Sequence, residues 1–183
     1  MDSKLTPQSG QSVNCTDDLP QKDIPSIIKG LGNPDNSVRL EMRNVLSCIG
    51  APAVPELLNA MAKSDTNMRW QIIKVFDSIR DPSTVPILME QLKDDDPEIR
   101  WAASNALLNL RRQALPALFE ALTRDFDSMR LRQSAHHILR ILRDNGKLTP
   151  IEDKVYEALG EMTPLVSVPW AAARALQALR EKQ

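Results

Sequence analysis

The side chains able to do covalent or metal chemistry are few in this chain, and their spacing argues against both. The two histidines, His136 and His137, are adjacent. On a helix, neighbours point about 100° apart, so this pair cannot close on one ion. The two cysteines, Cys15 and Cys48, form no C-x-x-C pair, and there is no H-E-x-x-H. Gly30-Leu31-Gly32 lacks the pattern of a phosphate-cradling loop and reads as a helix C-cap. No Ser, Thr or Cys stands beside a recognisable base. The 24 Asp and Glu include no pair set apart for acid–base work. The expectation is a non-catalytic protein with no catalytic residue, no metal ligand and no cofactor. Cys48 reads as an inert thiol. Two cysteines set no disulfide framework, and no apolar h-region follows Met1, so the expected setting is reduced and cytoplasmic.

What remains is recognition chemistry, carried by rings and cations. The chain has three Trp, one Tyr and three Phe in 183 residues. Trp offers a large contact area at low entropic cost. Arg and Lys beside a ring can stack on it or hold a carboxylate. Whether such groups act together depends on the elements that carry them.

Those elements repeat. Pro25, Pro55, Pro86 and Pro116 each open a segment whose apolar residues fall at positions 0, 3, 4 and 7, as in Val85, Leu88, Met89 and Leu92. That spacing is one face of a helix, and proline in the first turn costs no hydrogen bond. A second helical pattern follows, marked by Arg39, Arg69, Arg100 and Arg132. Four residues before each arginine stands a capping residue: Asp35, Asp65, Asp96 and Ser128. An Asp or Ser at that distance also allows a local ion pair or a ladder between repeats, so the arginines are expected to be structural. A fifth, degenerate pair starts near Ile151 and Val168, with Pro169 in the arginine position. Residues 1–22 are polar and aperiodic and read as a disordered tail, leaving 23–183 as the repeat domain. Few glycines and aromatics argue against β architectures, and no apolar run is long enough to span a membrane. The formal net charge of -1 gives no bulk attraction to nucleic acid.

The proline-opened first helix and the run D-x-x-x-[IVM]-R into A-A-x-A-L resemble HEAT-like repeats, the short phycobilisome-lyase type being the nearest in form. IRWAASNALLNL at 99–110 carries the motif best, and VPWAAARALQAL at 168–179 repeats its Ala-rich half. The resemblance implies an all-α fold, a right-handed α-solenoid (ARM/HEAT-like superhelix) of about five helix pairs, whose second helices line the concave face. It also implies a scaffold that binds proteins or peptides. Two other classes have relatives of this kind. Phycobilisome-lyase proteins handle linear tetrapyrroles, so an enzyme here would be a lyase of the bilin-attachment type. HEAT-like glycosylases bind nucleic acid. HEAT-like hydroxylases hold iron through His-Glu pairs, which this sequence lacks.

Counting from each arginine, positions -1, 3, 6, 7 and 10 are apolar and predicted to be core. Positions 1, 5 and 8 then face away. Position 1 holds Leu40, Trp70, Trp101, Gln133 and Trp170, so every tryptophan falls in one column. Positions 5 and 8 add Lys74, Asn105, His137, Arg140 and Arg174. These eight residues, Trp70, Trp101, Trp170, Lys74, Asn105, His137, Arg140 and Arg174, are the candidate binding surface. The competing expectation is that each ring leans sideways and fills the gap between adjacent second helices.

Overall fold

The computed structural model describes residues 23–181. The expected tail, residues 1–22, lies outside them. The described residues form ten α-helices and no strand. They are α1 Ile24–Gly30, α2 Asn36–Ile49, α3 Val54–Met61, α4 Thr66–Ile79, α5 Val85–Gln91, α6 Pro97–Leu110, α7 Leu115–Arg124, α8 Met129–Asp144, α9 Pro150–Leu159 and α10 Pro164–Arg180. The described residues are an all-α solenoid of five helix pairs.

The capping residues do what their types allow. The Asp35, Asp65 and Asp96 carboxylates accept from the backbone N–H groups of Ser37, Met68 and Glu98, and the Ser128 hydroxyl accepts from that of Leu131. Each satisfies a donor that the first turn leaves free. Thr149 and Glu152 form a capping box at the start of α9.

With the caps occupied, the arginines turn elsewhere. Arg39 donates to the carbonyls of Asn33 and Pro34 at 2.7 and 2.8 Å. Arg100 donates to those of Asp94 and Asp95 at 2.8 and 2.9 Å. Arg132 donates to the Phe126 carbonyl. Three of the four therefore lace the turn that precedes their own helix, where the carbonyls ending the previous helix need donors. Only Arg69 reaches the next repeat, pairing with Asp94 at 3.3 Å.

Second helices stack in one layer, α2 on α4, α4 on α6 and α6 on α8. First helices form the other, with α1 against α3 and α5 against α7. Most of the predicted columns are core: Ile72, Val75 and Phe76 in α4 and Ile99, Ala103, Ala106, Leu107 and Leu110 in α6 are buried, while Met68 and Ile79 are half-buried against them. Burial extends further than the periodicity foresaw. Gln71, Ile73, Ala102, Ser104 and Ser134, at positions 2 and 4, are buried as well. A central second helix has neighbours on three sides, so its apolar arc is wide and its flanks are small or polar. Ser134 uses its hydroxyl to donate to the Leu92 carbonyl of the preceding repeat at 3.1 Å.

The fifth pair departs from the register. α9 packs on α8, and α10 packs on α7 and α9. The layers are exchanged: α9 extends the second-helix layer and α10 the first-helix layer. The contacts between α8 and α9 are specific. His136 stacks on Tyr156 with centroids 4.8 Å apart, and Arg143 sits over the same ring while pairing with Asp153 at 2.9 Å.

Candidate functional site

The face left free by the second-helix layer is the one the periodicity indicated. Its centre is Trp101, 56% exposed in the middle of the solenoid. Leu40, in the same column of α2, is 47% exposed. Trp70 is half-buried against the core, with the Arg43 guanidinium 5.7 Å from its ring centroid. Arg43 also donates to the Gln71 side chain. Burial, then the charge of Arg39, pulls the Arg43 pKa down from its ordinary value. Trp70, Trp101, Pro97 and Glu98 line a concavity of about 380 Å³ between α4 and α6. Neither ring is core, so the gap-filling alternative holds only in part, for Trp70.

Trp170 is not on this face. It is 65% exposed, but α10 belongs to the other layer, and its ring borders Ile151, Lys154 and Arg174 at the end of the stack. Arg174 lies over it at 5.0 Å. The column of three tryptophans is thus two plus one. The sequence repeats its Ala-rich motif in α10 and so suggested an equivalent position. The exchange of layers, which no local pattern encodes, moves Trp170 and Arg174 away from the rest.

The remaining predicted residues differ in availability. Lys74 is committed to Asp77 at 2.9 Å, and Asp77 accepts from Asn109 of the next helix at 2.6 Å. Asn105 is half-buried beneath Trp101 in the same helix, and Arg140 is exposed. His137 is half-buried, and its Nε2 has no hydrogen-bond partner. Burial lowers its pKa below the ordinary value, with Arg140 and His136 adding to the effect. The sequence reading missed Arg43 and Glu98, which flank the two rings. Their signal was faint, because each is one charge among many on a helix surface.

Among the described residues no group of three or more His, Cys, Asp or Glu is arranged to hold a metal ion. Cys48, expected to be an inert thiol, is not a free cysteine in the structure. Cys15 lies outside the described residues. No helix among the described residues is long and apolar enough to cross a membrane.

Known proteins resemble this sequence in part. The family model of HEAT repeats matches residues 54–140, from the start of α3 through most of α8. The bilin biosynthesis protein RpcF of Synechococcus sp. (strain WH8020) is 32% identical over 88 residues. That match covers 48% of this chain and 42% of the relative, so the chain spans less than half of RpcF's length. No solved structure matches. The proline-opened first helix, the capped turn and the stacked second helix are the parts that recur across the matched segment. Over residues 54–140 the chain is similar to HEAT repeats.

Proposed function

We propose that this chain is a non-catalytic scaffold that binds a protein or peptide through the free face of its second helices, with the slot between Trp70 and Trp101 as its anchor point. The observation that carries this reading is Trp101. A large indole more than half exposed on a rigid helix, beside a second ring and a proline, is expensive to leave wet and is a common centre of recognition surfaces. The slot has walls of two indoles and Pro97 and one carboxylate, Glu98. Its chemistry suits a side chain with an apolar stem and a cationic tip, which would stack on the rings and pair with Glu98. An extended segment carrying Lys or Arg among apolar residues is the partner that fits.

The test is a titration of intrinsic tryptophan fluorescence with short peptides rich in Lys and Leu, against peptides in which Glu replaces Lys. The basic series is expected to saturate and the acidic series to give no response. Trp101→Ala together with Trp70→Ala should abolish binding of a fluorescein-labelled basic peptide followed by anisotropy, a readout that does not depend on those rings. The melting temperature should fall only by the share that half-buried Trp70 contributes. Equal response to both series would sink the reading, as would a collapse of the fold on losing Trp101.

A second reading has one specific observation behind it, the 32% identity to a bilin biosynthesis protein over 88 residues. On that reading the chain handles a linear tetrapyrrole and helps attach or detach it. Visible absorption of a free linear tetrapyrrole separates the two readings. A shifted and intensified band on adding the protein supports pigment handling, and an unchanged spectrum removes it.

A further inference from the structure

A concavity of about 510 Å³ opens where α6 and α8 end. Its size lies within the range of small-molecule sites. It shares no lining residue with the Trp70–Trp101 slot. Its floor is apolar, built from Leu108, Ile141 and Leu142, and its rim carries Arg111, Arg112 and Lys147. No carboxylate lines it.

The three cations are not equivalent. Arg112 is already neutralised. Its Nη2 pairs with Glu152 Oε1 at 2.6 Å, its Nη1 lies 3.3 Å from Oε2, and Glu152 is only 1% exposed. The same Nη1 approaches the Lys147 carbonyl at 3.5 Å, which ties the linker after α8 to the rim. Among the described residues, Arg111 and Lys147 have no anionic partner. Two uncompensated cations therefore stand over an apolar floor.

An independent observation concerns the backbone of Arg111. It ends α6 at φ 55°, ψ -127°, a region that suits glycine. The matching turn in the first repeat ends α2 with Gly50 at φ 72°, ψ -141°. Both turns run directly into a 3-10 turn and then a proline-opened helix. A side chain at this position costs stability that glycine would not. Arg80 closes α4 at positive φ as well, at φ 57°, ψ 37°, so a positive φ after the second helix is a feature of the repeat's turn that glycine meets at least cost.

We propose that this concavity binds an amphipathic carboxylate, its apolar body on Leu108, Ile141 and Leu142 and its carboxylate held by Arg111 and Lys147. The planar guanidinium matches the two oxygens of a carboxylate, and Lys147 adds a second charge from the linker. The site stands apart from the peptide-binding reading, since it needs neither tryptophan.

The experiment compares 1-pyrenebutyrate with pyrenebutanol, which share one apolar body and differ in charge. Pyrene fluorescence is followed against the full chain. The acid should bind at least about ten times more tightly than the alcohol, a difference that shrinks with added salt. Arg111→Gly installs the residue that the first repeat uses, so the fold is spared and its melting temperature should hold or rise. The same change should cost at least about tenfold in affinity for the acid and leave the alcohol unaffected. Lys147→Gln should weaken the acid in the same direction. Equal binding of acid and alcohol overturns the proposal, and so does full affinity in Arg111→Gly. Absence of binding up to about 1 mM overturns it too. Loss of acid binding in the Trp70→Ala, Trp101→Ala protein would place the probe in the other slot and refute this one.

Discussion

At the scale of single residues, the arginine column shows how a recurring charge can be structural without forming the ion pairs its spacing suggests. The carboxylates of Asp35 and Asp96 are used up on backbone N–H groups, so the guanidinium groups of Arg39 and Arg100 go to carbonyls instead, and of the four only Arg69 forms an ion pair, with Asp94 of the next repeat. For Arg100 those carbonyls belong to Asp94 and Asp95, in the acidic turn between α5 and α6. Charged donors to turn carbonyls hold more than neutral ones, and leaving the carbonyls bare in a half-buried turn adds to the loss. Arg100→Ala is therefore expected to destabilise the chain by about 1–2 kcal/mol. A urea midpoint lowered with an unchanged slope is the expected result. A midpoint that does not move would mean that water replaces the guanidinium freely. That Arg39, Arg100 and Arg132 are structural was legible in the sequence. Their partners were not, because a capping side chain and an ion-pair side chain look the same in one dimension.

At the scale of the element, the second helix is the informative unit. Its period told which positions are core, and this holds throughout α6 and at the centre of α4, while Met68 and Ile79 at the ends of α4 are half-buried. The flanks at positions 2 and 4 were not legible, because Gln71, Ser104 and Ser134 are polar and buried only by the neighbouring repeats. A polar residue reads as surface until its neighbour is known. The register itself can be tested at Leu107, which is 1% exposed at the centre of α6 and belongs to the predicted position 7. Leu107→Ala removes most of a side chain packed on every side, and the rigid stack of helices can collapse only partly into the space. A loss of about 2–5 kcal/mol is expected by chemical denaturation. A change well under about 1 kcal/mol would show that this column is not where the repeats meet.

At the scale of the whole molecule, the solenoid is regular through α8 and then exchanges its layers. The sequence marks the last pair as degenerate, through Pro169 in the arginine position and the longer linker from Asp144, but it does not say how the pair docks. Packing decides that, since α10 is rich in small residues that let it lie close to both α7 and α9. Ala171, Ala172 and Ala175 are all buried in it. In a repeat array each unit is held mainly by its neighbours, so damage should spread by contact and fade with distance. Ala172 is fully buried, and an aspartate there would place an unpaired carboxylate in an apolar junction. Ala172→Asp is expected to open α9 and α10 first. It should then reach α7, which α10 covers, while α2 and α4 at the other end keep their protection. Hydrogen exchange read by mass spectrometry along the chain distinguishes the cases. A graded loss running from α10 toward α4 supports nearest-neighbour stability and the docking of α10 on α7. Uniform loss over all ten helices would show instead that the array folds as a single cooperative unit. Loss at α8 with α7 still protected would show that the last pair keeps the regular order, and Trp170 would then rejoin the face that carries Trp101.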